Sequence, residues 1–346
     1  ANGLTVTGNT ITGGFYNAVQ CSFEAANITI DGNTINGTND RALRFGTVKG
    51  AVAITNNKFY DATDDANELL KATKVDGGSI AFSGNTYDDN PWNPATINSG
   101  DNVVVAVSFF ATVNDVKYAT LAEAIAASTP ETGFGGEVTL LKDVTLEGGY
   151  ADASEGLRIE KSVTINGAGY TIDCGNFTKG IRIYQNGDKA SNVMFKSINI
   201  VNNNYQGRCI DTRSAKINLQ LNGGVNLTAH GTNSQPLTIG GSETMTKVTI
   251  SGGTIDAGTS GYAVICFVPV TNNINVQGNA VIKGFAAFYL KEGVTDTAIK
   301  LSQSTSTGTN KYAAASGDFG AIVIDGSNNA VRLEHSGAVV KAVAAD

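Results

Sequence analysis

Gly8-Asn9-Thr10-Ile11 returns as Gly32-Asn33-Thr34-Ile35, as Asn56-Asn57-Lys58-Phe59 and as Gly84-Asn85-Thr86-Tyr87. The aligned asparagines Asn9, Asn33, Asn57 and Asn85 are spaced 24, 24 and 28 residues apart. Ahead of each stands a short run of alternating character: Leu4-Thr5-Val6, Ile28-Thr29-Ile30, Val52-Ala53-Ile54 and Ile80-Ala81-Phe82. Alternation sends every second side chain to one face, and the Gly-Asn pair supplies the turn that opens the next strand. A repeat of this length with several short strands is one coil of a parallel β-solenoid. The longer third interval places an insertion at 64–73 (DDANELLKAT), which reads as a short helix or loop.

The second half repeats more loosely. Val163-Thr164-Ile165, Val193-Met194-Phe195, Ile217-Asn218-Leu219, Val248-Thr249-Ile250 and Ile274-Asn275-Val276 recur at roughly coil length. Between the halves, Pro91, Trp92 and Pro94 break the pattern, and Val103 to Phe110 reads as a strand closing the first module. Then comes the one strongly helical segment. Thr120 is its N-cap, Glu123 three residues on completes a capping box, and Leu121, Ala124 and Ile125 form an apolar face. A short amphipathic helix at about 119–127 reads as a lid over exposed strand edges. The expectation is therefore an all-β chain in two modules, residues 1–110 and 111–346. About 14 coils at roughly 4.8 Å per strand would make a rod about 65 Å long.

Composition agrees. Of 346 residues, 41 are Gly and 5 Pro, and 16% are charged. Such a chain is rich in turns and poor in helix formers. A formal net charge of −7 argues against nucleic acid. No apolar run approaches the roughly 18 residues of a membrane helix, so direct membrane insertion is not expected. Cys21, Cys174, Cys209 and Cys266 lack metal-ligand spacing. Core filling is the default for Cys21 and Cys266, and a Cys174–Cys209 bridge between coils is the one disulfide the spacing admits.

The stretch Tyr118-Ala119-Thr120-Leu121-Ala122-Glu123-Ala124-Ile125 is followed by Val138-Thr139-Leu140-Leu141-Lys142-Asp143-Val144 and by Val163-Thr164-Ile165-Asn166-Gly167. Together they resemble the opening of pectate-lyase-like right-handed β-helix modules, which are common in prokaryotic surface and adhesin-like proteins. The coils of the first half are similar to repeats of the same superfamily. The resemblance implies a right-handed solenoid and an extracellular or cell-surface setting. It does not choose an activity, since the superfamily holds lyases, hydrolases, esterases, tailspikes and non-catalytic members.

One repeated position bears on chemistry. Leu43-Arg44-Phe45, Leu157-Arg158-Ile159, Ile181-Arg182-Ile183 and Val331-Arg332-Leu333 share an apolar–polar–apolar pattern whose middle residue points outward. Stacking would align Arg158 and Arg182, with Arg208 nearby. Arg44, Arg158, Arg182, Arg208 and Arg332 then form either a strip gripping anionic sugars bidentately or a solvated sheet face. For catalysis, Arg182, Arg208, Asp211 and Arg213 come nearest to a lyase site, whereas Asp143, Asp173 and Asp211 make no hydrolase pair. No catalytic residue and no metal ligand is assigned. Calcium is the one cofactor the acidic groups admit, at Asp61, Asp64 and Asp65 or at Asp88 and Asp89, though their spacing fits no calcium loop. His230 and His335 have no nucleophile context. Trp92, Tyr87, Phe285, Phe288 and Tyr289 are the aromatic candidates for sugar stacking.

The chain begins and ends within coil-like sequence. Either it is a segment of a longer surface protein, or one copy's last coil pairs with the next copy's first, giving a filament. The leading expectation is a non-catalytic structural or adhesive surface component. The alternatives are a polysaccharide-active enzyme, lyase before hydrolase, and a glycan-binding module.

Overall fold

The computed structural model describes residues 1–290 apart from 65, 130–132, 214–215, 242–246, 271–273 and 279. It also describes the backbone of strands at 298–302, 312–313, 322–323, 330–336 and 339–344. The chain is a parallel β-solenoid of about ten turns with one short helix. It divides into two compact units, Ala1–Ala124 and Ile125–Asp346.

In the first unit, Thr5–Thr7, Ile28–Asp31, Ala51–Thr55 and Ser79–Ser83 form one parallel sheet. A second is built on Thr10–Ala25, Thr34–Val48, Lys58–Tyr60 and Glu68–Val75. Their inward positions are the alternating aliphatics of the repeat: Ile28, Ile30, Ile35, Val52, Ile54 and Ile80 are all buried. Burial of each such side chain stabilises the fold by about 1.5–3 kcal/mol. The turn between the two strands of a coil is left-handed at its first residue. Gly8, Gly32 and Gly84 have φ of 65°, 63° and 64°, and Asn56 takes the same place with φ 56°. Asparagine is among the few residues other than glycine that accept this conformation, so the motif survives the substitution.

The insertion at 64–73 is mostly strand. Asp64 Oδ1 accepts from the backbone N–H of Ala66 and Glu68, which confines the irregular part to a tight loop. Glu68–Val75 then pairs in parallel with Thr34–Val48, because Leu69, Leu70, Ala72 and Val75 are needed in the core. The strand near residue 105 spans Gly100–Ala106 and runs antiparallel to Glu68–Val75.

The helix covers Leu121–Ala127, and the N–H of Glu123 donates to Thr120 Oγ1 at 3.1 Å, as an N-cap requires. Glu123 is pushed up by burial, against hydrogen bonds from Thr120 and Asn93.

The second unit stacks three parallel sheets. The first contains Glu137–Leu140, Val163–Asn166, Ser191–Lys196, Ile217–Asn222, Lys247–Ser251, Ile274–Gln277 and Ala298–Ser302. The second contains Thr171–Asp173, Asn199–Val201, Asn226–Thr228, Thr254–Asp256 and Val281–Lys283. The third contains Glu155–Ile159, Lys179–Ile183, Arg208–Thr212, Leu237–Ile239, Tyr262–Cys266 and Ala286–Leu290. Inward side chains form columns along the stack, such as Val163, Val193, Leu219, Val248 and Ile274.

About ten turns replace the expected 14. Most coils of this unit run longer than 24 residues, with Val163 paired to Val193 and Leu219 to Val248. The described strands after residue 320 also pair antiparallel. Ala330–Ser336 and Val339–Ala344 form an antiparallel hairpin, and Val339–Ala344 pairs antiparallel with Ala298–Ser302. An antiparallel hairpin thus stands where sequence suggested the start of another coil.

Candidate functional site

The asparagines of the repeat form a ladder inside the first unit. Asn57 Oδ1 accepts from the backbone N–H of Asn33 at 3.0 Å and from Asn33 Nδ2 at 2.9 Å. Asn57 in turn donates from its backbone N–H and its Nδ2 to Asn85 Oδ1, both at 3.0 Å, and from Nδ2 to the Ile30 carbonyl at 2.9 Å. Asn9 makes the same pair of bonds to Asn33. Asn93 Oδ1 receives the last rung from the N–H of Asn85. Asn33, Asn57 and Asn85 are buried. The carboxamide accepts through Oδ1 while it donates through Nδ2, so every rung satisfies the next. These residues are structural. Asn93 was invisible to the repeat because it arrives 8 residues after Asn85 rather than one coil on.

The densest charged cluster among the described residues lies on the third sheet of the second unit. Arg158 and Arg182 are register partners, as their 24-residue spacing requires. The next residue in that column is Asp211, while Arg208 pairs with Lys179 three positions back along the strands. A carboxylate therefore follows two guanidinium groups. Asp211 Oδ2 lies 3.2 Å from Arg182 Nε, 3.3 Å from Arg208 Nη1 and 3.2 Å from Arg213 Nε. On the other side, Glu155 accepts from Arg158 Nε and Nη2 at 2.9 and 2.7 Å, from Arg182 Nη1 and from the Tyr184 hydroxyl. Asp152 bonds Lys179 at 2.7 Å and Arg182 at 2.9 Å. Arg158 also lies over the rings of Tyr150 and Tyr184.

The result is a densely paired network in which five cations, Arg158, Arg182, Arg208, Arg213 and Lys179, share the three carboxylates of Glu155, Asp152 and Asp211. The side chains of Asp211, Glu155 and Arg182 are only 0%, 1% and 8% exposed. Burial works to raise Glu155, but hydrogen bonds from Tyr184 and Arg158 and the charge of Arg182 outweigh it, leaving the carboxyl below its usual range. Hydrogen bonds from Lys179 and Ser154 hold Asp152 well below its usual range. Burial and the bond to Glu155 raise Tyr184 to about 12.

The expected outward strip is corrected accordingly. Arg182 points away from the core but is enclosed by carboxylates. Arg208 is held by Asp211. Arg44 belongs to the first unit, where it is half exposed with Asp40 3.8 Å away. The side chain of Arg332 lies outside the described residues.

Sequence reading missed Glu155, Asp152 and Tyr184. Glu155 shares parity with the inward Leu157 and Ile159, so strict alternation would bury it in the core. Gly156 sits where an added Cβ would strike Leu146, and Gly180 where it would strike Cys174, so both face the core. Two consecutive inward positions reset the alternation and bring Glu155 to the side of Arg158. The pair Gly156 and Gly180, one coil apart, is the signal that marked the break in alternation.

The other candidates resolve into structural roles. Asp64 is bound to Arg41 at 3.0 Å, Asp89 accepts from Tyr60, and Asp65 lies outside the described residues. No group suited to a metal ion occurs among the described residues. All four cysteines are free and buried, so Cys174 and Cys209 form no bridge. His230 Nε2 lies 3.1 Å from Asp256, which also binds Lys283. The side chain of His335 is outside the described residues. Trp92 is buried edge-on to Phe59 and Phe82 rather than offered to a sugar. Tyr262 packs against Phe285 and Tyr289.

No protein family, curated protein or solved structure matches the chain. What the residues do chemically is thus read from the site alone.

Proposed function

We propose that this chain is a non-catalytic structural and adhesive component of a prokaryotic cell surface, built as a right-handed two-module β-helix. The observation that carries the reading is that every guanidinium of the ionic network is already paired with a carboxylate. A catalytic base or acid needs an open lone pair or proton near a substrate path. Here Arg158, Arg182, Arg208 and Arg213 are each committed to a carboxylate, and the central three side chains are out of solvent. The network acts as a clasp between successive coils. The right hand follows the general preference of parallel crossover connections. The low charge and the resemblance to surface modules support an extracellular setting. In the second unit the antiparallel hairpin on Ala298–Ser302 opposes growth by parallel pairing through that sheet, so head-to-tail filaments are not part of this reading.

One feature favours a second reading. Asp211 Oδ1 is buried and makes no hydrogen bond among the described residues. An acid–base role for Asp211 in polysaccharide cleavage would use that oxygen. Incubation with polygalacturonate, with and without calcium, and with neutral polysaccharides separates the two. No release of reducing ends is expected. Release that disappears in Asp211→Asn would overturn the structural reading.

A further inference from the structure

The outer face of the first sheet of the second unit carries a different chemistry. Register aligns Met194, Gln220, Thr249 and Asn275 in one row, and Lys196, Asn222, Ser251 and Gln277 in the next. Asn218 pairs with Lys247 in a third. The strand Lys247–Ser251 thus offers short hydroxyl side chains, while both neighbouring strands offer carboxamides. Short residues between longer ones leave a depression, and a groove is found there, lined by Phe134, Asn218, Gln220, Lys247, Asn275 and Gln277 with Thr249 as its floor. Thr249 is 8% exposed although it points outward, as expected at the bottom of a groove. The walls stand two strand spacings apart, about 10 Å.

The geometry points to this groove as a binding site for a neutral, hydroxyl-rich glycan. Each carboxamide presents a donor and an acceptor in one plane, which suits adjacent hydroxyls on a sugar ring. Gln220 and Lys247 make no side-chain hydrogen bond to another described residue, whereas Gln277 is steadied by donating to Ser251 Oγ at 2.6 Å. The described lining holds no carboxylate and one cation, Lys247. That lining is too weakly charged for nucleic acid or a polyuronate, and too polar for an apolar peptide. Phe134 adds a ring at the edge, against which a sugar's C–H face can rest. The site lies on another sheet from the ionic network and stands independently of the surface role.

The test is affinity electrophoresis of the full 346-residue chain in gels containing dextran, mannan, xyloglucan or β-glucan, with polygalacturonate as the anionic control. Retardation by at least one neutral polymer is expected. The double variant Gln220→Ala/Gln277→Ala should weaken it about tenfold, the loss of two hydrogen bonds. Thr249→Tyr, which fills the floor and removes no amide, should abolish it. Far-UV circular dichroism checks that each variant is folded. No retardation by any neutral polymer overturns the site, as does retardation by polygalacturonate alone. Neutral-polymer binding unchanged in both variants overturns it equally.

Discussion

Replacing Asn57 with alanine is the sharpest test of how the first unit is held. The substitution removes four hydrogen bonds. Two come from Asn33, and the other two go to Ile30 and Asn85. Asn33 Nδ2 keeps the Val6 carbonyl, and Asn85 Oδ1 keeps the backbone N–H of residue 57. The backbone N–H of Asn33, however, is left buried with no partner. Net bonds contribute about 1 kcal/mol each, and an orphaned buried donor costs about 1–3 kcal/mol, so the loss should be about 4 kcal/mol. That is a large part of the stability of a domain, about 5–15 kcal/mol. Asn9→Ala is the internal control. Its side chain is exposed and bonds Thr7 and Asn33, whose Oδ1 keeps the Asn9 backbone N–H, so about 1 kcal/mol or less should be lost. Trp92 is the chain's one tryptophan and is buried in this unit, so its fluorescence during urea unfolding reports the first unit selectively. The difference in midpoint, multiplied by a shared slope, gives each loss. A cost for Asn57→Ala below about 1.5 kcal/mol, or no greater than that of Asn9→Ala, would refute the ladder as a stabilising device.

Three further outcomes are expected. Arg182→Met should destabilise the second unit by about 3 kcal/mol, since Glu155 and Asp211 lose a buried partner yet keep other cations; calorimetry that shows no change would remove the clasp role. Glu155 and Asp152 are both held below the usual carboxylate range in the folded chain. Their contribution is therefore complete above their unfolded pKa and is lost as pH falls, so melting temperatures should decline below about pH 4, and a decline absent from a Glu155→Gln/Asp152→Asn variant identifies the source. Gly84→Ala should cost more than Gly8→Ala in the same urea assay. Both have positive φ, but only at Gly84 does an added Cβ come within 2.3 Å of Asn56 Oδ1, whereas Gly8 meets nothing.

The repeat made the solenoid legible because its asparagines and aliphatics perform the same task in every coil. Gly8-Asn9 and its counterparts announce a left-handed turn and a ladder amide in two letters. The arginine column was legible for one step only. Arg158 and Arg182 are 24 residues apart, but the next coil lengthens, so Asp211 rather than Arg208 follows Arg182. Loop length is set outside the sheets and leaves no trace in strand alternation. The same limit hid Glu155, whose orientation depends on the core-facing Gly156 beside it. The groove above Lys247–Ser251 depends on side-chain lengths across three strands, which become neighbours only once register is known.

The ladder also separates the length of a coil from its alignment. Intervals of 24 and 28 residues deliver the same amide to the same rung, with the excess gathered around Asp64. Repeats of this kind can be duplicated, shortened or decorated between rungs without disturbing their neighbours. For an engineer, the exposed Ala66 and Asn67, rather than the buried Ala62 before them, are therefore the place to splice a foreign epitope and expect the scaffold to carry it.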